Sequence, residues 1–134
     1  MGTLRYAMLG LIQRAPATGY DISKAFSGRL GSIWGARHSQ IYPELKKLTE
    51  EGLVNCTVIS ELQEKKLYSI TEAGKEAFRA WLLSDEDEYR PPKDTLRLKL
   101  YFCETLEPEE YLSVLLRARE QHIRRVEWMR AHCS

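Results

Sequence analysis

Ser39, Gln40, Tyr42, Lys46 and Lys47 stand close together and carry groups that a DNA duplex can engage. A hydroxyl and a carboxamide can hydrogen-bond base edges, and a Gln side chain suits adenine. A phenol and two ammonium groups can reach phosphate. On a helix, at about 100° per residue, Ile41, Leu45 and Leu48 gather on a narrow apolar stripe. Ser39, Tyr42, Pro43, Lys46, Lys47 and Glu50 then turn mostly the other way. An ordinary solvated helix has the same make-up. The stretch from Arg37 to Gly52 does not separate the two readings by itself.

The elements around it must do so. Pro43 belongs in the first helical turn, where its missing N–H costs least. That starts the helix near Ser39 or Gln40, and Gly52 is the natural stop. Earlier, Leu4, Ala7, Met8, Leu11 and Ile12 form the buried stripe of a first helix, with Thr3 as its cap and Pro16 beyond its end. Thr18-Gly-Tyr-Asp21 has the capping-box form and opens a second helix through Ile22, Ala25 and Phe26. Gly28, Gly31 and Gly35 end that helix near Arg29 or Leu30. Ile33 and Trp34 lie between the glycines and should fold back onto the core.

After Gly52 the period changes to two. The β-branched run 53–60 and the run Lys65–Ile70 read as a β-hairpin with a polar turn at 61–64. Val54, Cys56 and Val58 share one side, which makes Cys56 a small core residue. Lys65 and Lys66 fall near the hairpin tip. Thr71 caps a fourth helix with Glu72 in its first turn, and Ala77, Phe78 and Trp81 give it a buried face. An acidic run at 85–88 ends it, and Pro91-Pro92 makes a stiff junction.

Residues 96–102 alternate apolar and polar, which alone favours a strand. Asp94, after two prolines, can instead cap a helix, and helix is the reading adopted. It would carry Leu96, Leu100 and Cys103 on one side and Leu98 and Phe102 on another. A helix buried on two sides needs two partners, which a dimer interface would supply. From Pro108 a long helix reaches about Ala131. Its apolar stripe is Leu112, Leu115, Leu116, Ile123, Val126 and Met129, interrupted by Arg119 and His122, so it makes a poor heptad seam.

The 134 residues fit one domain, or a small domain with a helical extension; 43% are hydrophobic and 29% charged. The net charge of +1 does not point to nucleic acid. Its distribution is more telling. Residues 1–60 balance at +3, residues 61–90 at −3 and residues 91–134 at +1. The basic opening segment permits phosphate contact.

The three cysteines, Cys56, Cys103 and Cys133, lack Cys-x-x-Cys spacing, which argues against a disulfide framework, a thiolate metal site or a paired redox switch. His122 on an apolar stripe is read as interfacial, not as a metal ligand. Trp34, Trp81 and Trp128 are read as structural. No catalytic triad frame or glycine-rich phosphate loop stands out, so an enzyme is not expected, nor a cofactor. No signal peptide or membrane span is visible, and a cytoplasmic location is expected.

The order helix, helix, helix, hairpin, helix is that of a winged helix-turn-helix. In such folds the later helix enters the major groove and presents its N-terminal residues to the bases. The residues that carry a more specific resemblance are Leu9-Gly-Leu-Ile12, Thr18-Gly-Tyr-Asp-Ile22, His38-Ser-Gln-Ile-Tyr-Pro-Glu-Leu-Lys-Lys-Leu48, Glu51-Gly-Leu-Val54 and Tyr68-Ser-Ile-Thr-Glu-Ala-Gly-Lys75. Over roughly residues 4–83 the chain resembles the PadR family of bacterial transcriptional regulators.

That resemblance implies a mainly α protein with a small β-hairpin. It implies a winged helix-turn-helix DNA-binding domain at 1–84, a linker at 85–93 and C-terminal dimerisation helices at 94–134. Longer members continue with more helix past the position of Ser134. The implied function is a homodimeric repressor on a palindromic double-stranded operator, released by a small aromatic effector.

The residues expected on DNA are Tyr20, Arg37, His38, Ser39, Gln40, Tyr42, Lys46, Lys47, Lys65 and Lys66. Those expected at the dimer interface are Leu96, Leu100, Leu112, Leu116, Ile123, Val126 and Met129. The wing tip 61–65 departs from the family, because it lacks the Gly-Arg-Pro often found there and leaves Lys65 and Lys66 to substitute. The rival reading is a winged-helix module for protein–protein assembly with no DNA target.

Overall fold

The computed structural model describes residues 2–84, 89–90 and 93–132. In chain order the elements are α1 (Leu4–Arg14), β1 (Ala17–Thr18), α2 (Gly19–Phe26), α3 (Arg29–Ile33), α4 (His38–Glu50), β2 (Val54–Ser60), β3 (Lys65–Ile70), α5 (Glu72–Leu83), β4 (Tyr89–Arg90), β5 (Lys93–Asp94), α6 (Thr95–Tyr101) and α7 (Pro108–His132). A 3-10 turn at Cys103–Thr105 joins the last two helices. The winged-helix order expected from the sequence is present. The acidic run 85–88, Pro91-Pro92 and Cys133 lie outside the described residues.

Two of the expected caps form, those of Thr18 and Thr71. The Thr18 hydroxyl accepts from the Asp21 N–H at 3.1 Å, and the Asp21 carboxylate accepts from the Thr18 N–H at 3.0 Å. The Thr71 hydroxyl accepts from the Gly74 N–H at 3.0 Å at the start of α5. Thr3 precedes α1 but makes no side-chain cap.

Four details differ from expectation. First, α2 stops at Phe26, and a separate short helix, α3, follows. The Ser27 hydroxyl donates back to the Lys24 carbonyl at 2.6 Å and closes α2 early. Leu30 and Ile33, three apart, are buried and hold α3 against the core. Trp34 is buried there too, as expected.

Second, the hairpin is part of a three-stranded antiparallel sheet in the order β1-β3-β2. β1 pairs Ala17 with Tyr68 and Thr18 with Leu67. Two residues after Pro16, the second of them the α2 cap itself, are too few to show a strand pattern.

Third, Cys56 is exposed instead of buried. Val54 is buried, but Val58 is 51% exposed. β2 is an edge strand, and among the described residues no layer covers its far half.

Fourth, α4 starts at His38, so Pro43 sits in its second turn rather than its first. The Ser39 carbonyl thereby gives up its usual helical partner. Ser39 and Pro43 are both exposed, so water can serve that carbonyl.

The principal core draws Met8, Leu9 and Ile12 from α1, Ile22 from α2, Ile41, Leu45 and Leu48 from α4, and Phe78 and Leu82 from α5. Each such side chain contributes about 1.5–3 kcal/mol through burial. Residues 96–101 are helical, as read, and Phe102 is the turn residue that follows. Leu98 of α6 and Phe102 just after it enter this same core, and Phe102 meets Phe78 edge to face at 5.4 Å. The Phe102 ring also lies on Gly10, where a Cβ would stand 2.6 Å away. The other side of α6 packs Leu96 and Cys103 against Val114 of α7. Both faces that seemed to need a second subunit therefore find partners in their own chain.

Polar ties join the same elements. Arg14 donates to Glu104 at 2.7 Å and to the Tyr101 carbonyl at 2.9 Å, with its guanidinium 4.5 Å from the Tyr101 ring centroid. Buried Lys99 donates to the carbonyl and hydroxyl of Ser84, each at 2.9 Å, and lies 5.2 Å from the Trp81 ring centroid. Arg117 of α7 reaches the Leu82 and Leu83 carbonyls at the C-terminal end of α5, where a cation complements the helix dipole. Arg79 and Glu110 form an ion pair between α5 and α7.

Candidate nucleic-acid interface

α4 divides as its residue types require. Ile41, Leu45 and Leu48 are fully buried, which fixes the rotation of the helix. Ser39, Gln40, Tyr42, Lys46 and Lys47 are consequently exposed on the outer side. The C-terminal end of α4 is pinned to α1 by buried Arg5. Its guanidinium bonds to Glu51 through both carboxylate oxygens and lies 3.2 Å from Glu44. The Arg5 hydrogen bond holds the Glu51 carboxyl below its ordinary range. Sequence reasoning missed Arg5 because a single basic residue on a helix gives no sign that it turns inward.

A second group of residues meets between α2 and the wing. Tyr20, Tyr42, Lys65 and Lys66 line one cleft of about 830 Å³, with Tyr68 at its back. β1 makes this convergence possible, because its pairing with β3 sews the start of α2 to the base of the wing. The Tyr42 ring lies directly on the Gly19 backbone. A Cβ at Gly19 would stand 2.4 Å from Tyr42 Cε1. This close approach explains the Gly of the Thr-Gly-Tyr-Asp motif, a role not read from the sequence. Burial pushes the Tyr68 hydroxyl above its ordinary value, with Cys56 beside it across the strand pair.

The cleft is not uniformly basic. Glu61 and Glu64 of the wing tip line it as well. The Asp21 carboxyl is held below its ordinary value, first by the Thr18 N–H and then by the Thr18 hydroxyl, with smaller help from Lys65 and Lys24. Arg37 is exposed just before α4. The side chain of His38 lies outside the described atoms. Cys103 is buried, and desolvation pushes its thiol up to about 11, which keeps it protonated and unreactive. Among the described residues, no cluster of His, Cys, Asp and Glu could hold a metal, and no helix is long and apolar enough to cross a membrane.

Of the residues expected at a dimer interface, Leu96 is buried within the chain and Leu100 and Val126 are half-buried. Leu112, Leu116, Ile123 and Met129 are exposed along α7, together with Tyr111, Leu115 and Trp128.

Residues 8–80 match the model of the transcriptional regulator PadR-like family. The chain belongs to the PadR-like family. Its relatives include the negative transcriptional regulator PadR of Bacillus subtilis strain 168, 43% identical over 112 residues, which are 82% of this chain and 62% of that protein. A probable transcriptional regulator of Mycobacterium tuberculosis is 27% identical over 90 residues, 66% of this chain and 48% of that protein. The chain thus spans roughly half to three-fifths of these PadR-like relatives.

Among solved structures, B. subtilis PadR in complex with operator DNA superposes with a TM-score of 0.62 at 34% identity, covering 97% of this chain and 75% of that one. The same protein in complex with p-coumaric acid gives 0.56, again at 34% identity, covering 96% and 68%. The Vibrio cholerae virulence activator AphA gives 0.54 at 32% identity, covering 97% and 75%.

Proposed function

We propose that this chain is a sequence-specific, DNA-binding transcriptional regulator that works as a homodimeric repressor. The observation that carries the reading is α4. Three buried aliphatics fix its rotation and leave Ser39, Gln40, Tyr42, Lys46 and Lys47 outward. Ser39 and Gln40 face bases, while Tyr42, Lys46 and Lys47 meet the backbone. Lys65 and Lys66 add wing contacts, and Tyr20 supports the same side. The operator is a palindrome whose half-sites lie about 34 Å apart, or a multiple of that. The sign of regulation follows the B. subtilis relative, a negative regulator. Action on DNA places the protein in the cytoplasm and gives it a binding role, not a catalytic one.

Dimerisation falls to the 94–134 region, through the exposed apolar side of α7. An effector is part of the proposal, because the B. subtilis relative has been solved with p-coumaric acid. A hollow of about 490 Å³ lined by Leu106, Pro108, Tyr111, Leu112 and Leu115, with Glu104 at its edge, suits a small aromatic molecule. Such a ligand shifts the dimer only by its difference in affinity between the DNA-bound and released forms.

The decisive experiment is a Lys46→Ala, Lys47→Ala double variant titrated with operator DNA at several salt concentrations. It binds more weakly, and its log–log salt slope falls by about 2, one counterion release per lost phosphate contact. One observation favours the rival reading, a protein-assembly module. The wing tip exposes Leu62 completely and flanks it with Glu61 and Glu64, a composition suited to protein rather than phosphate. Unchanged DNA affinity in the folded double variant selects that rival.

A further inference from the structure

The last carbonyls of α5 are held from two directions. Such carbonyls have no partner within their own helix and form the negative end of its dipole. Lys99 of α6 donates to the Ser84 carbonyl and to the Ser84 hydroxyl, each at 2.9 Å. That hydroxyl in turn donates to the Trp81 carbonyl at 2.8 Å. Arg117 of α7 donates to the Leu83 carbonyl at 3.3 Å and to the Leu82 carbonyl at 3.4 Å. Positions 82, 83 and 84 thus all accept from a cation. The two cations come from the two helices that follow the winged unit.

Lys99 is 0% exposed. Burying an ammonium is expensive, and an apolar side chain of similar volume often packs as stably in its place. What the ammonium adds is direction, because a hydrogen bond weakens when its angle changes. Leu98 and Phe102 anchor the same stretch in the core, but apolar contact is non-directional. Adhesion between the winged unit and the C-terminal helices therefore comes from the apolar residues, and the angle between them from Lys99 and Arg117.

We propose that Lys99 and Arg117 are positioning residues that set which half-site spacing the dimer accepts. The inference rests on the regulator reading and on the α7 dimer proposed above. In a dimer joined through α7, the angle between α5 and the C-terminal helices fixes how far apart the two α4 helices stand. One base pair more or less between half-sites moves the second site by about 3.4 Å and turns it by about 35°. A joint held by directed bonds resists both changes, and one held by apolar contact alone yields to them.

The probes are a palindromic duplex selected from random DNA by the wild-type full chain, derivatives with one or two base pairs added or removed at its centre, and a duplex carrying a single half-site. Wild type loses about tenfold or more on the altered spacings, since the DNA must deform to restore the match. A Lys99→Met, Arg117→Met variant keeps its half-site affinity and its dimeric mass in sedimentation. Its spacing penalty shrinks to about threefold or less. Should the double variant not fold, Arg117→Met and Ser84→Ala, each at a half-buried position, carry the test with a smaller shift in the same direction. A folded variant with the wild-type spacing profile overturns the proposal. So does an equal loss on every duplex, the half-site included, which is a general structural role. A monomeric variant also overturns it, because both residues then serve dimer assembly. Wild type that binds all spacings alike, or selects single half-sites, does the same. Wild type that selects no duplex at all is a different result and overturns the regulator reading itself.

Discussion

Gly19 and Tyr42 show how one missing side chain can serve a functional surface. The Tyr42 ring occupies the space that a Cβ at position 19 would fill. Tyr42 is 47% exposed, so it can swing away instead of forcing the backbone apart. Gly19→Ala should therefore cost little thermal stability yet displace the ring from the cleft. The expected outcome is weaker operator binding with the melting temperature shifted by only a few degrees, read by titration and thermal denaturation. Large destabilisation with unchanged affinity per folded molecule would mean that the contact serves packing and not the DNA face. The outward and inward faces of α4 were legible from residue type and spacing. The Gly19 contact was not, because it joins residues on different helices.

At the scale of elements, two carboxylates hold helix ends in place. Glu51 ties α4 to α1 through Arg5, and Asp21 closes the capping box of α2. Both have folded-state values depressed below their ordinary 4.5 and 3.8. Their contribution is complete above those ordinary values and is lost as the pH falls through the lower folded ones. The denaturant midpoint should thus fall between about pH 7 and about pH 3. A Glu51→Gln, Asp21→Asn variant should be less stable at neutral pH and lose less over the same range. Identical pH profiles for the two proteins would remove these pairs as a source of stability. Thr18 and Asp21 announced their bond in the sequence, three residues apart. Arg5 and Glu51 did not, since only the crossing of α1 and α4 brings them together.

For the whole molecule the question is what covers α7. Its apolar stripe was visible as a period, and in the single chain Leu112 and Leu116 remain 54% and 51% exposed. The proposed dimer would cover this stripe, as burial covers Leu98 and Phe102 within the chain. A Leu112→Asp, Leu116→Asp variant should sediment as a monomer at micromolar concentration, keep its helical circular dichroism and bind a palindromic operator more weakly than a half-site ratio predicts. A dimeric mass for the folded variant would contradict the interface role of this stretch. The two faces of α6 carry the opposite lesson. Read as a helix, this stretch is apolar on two sides and suggested a second subunit, but elements of the same chain supply partners for both sides.

Local chemistry sufficed for the winged-helix order. Caps such as Thr18 and Thr71, the stop at Gly52, the 3.6-residue stripe of Ile41, Leu45 and Leu48 and the two-residue alternation after Gly52 all act within a few residues, so a sequence displays them. Only the tertiary structure decided the rest. It left Cys56 in water because, among the described residues, no layer covers the edge strand past Val54. It turned Arg5 inward, set Tyr42 on Gly19 and made a third strand of Ala17 and Thr18. Each of these depends on how close distant segments approach, a distance that no local pattern encodes.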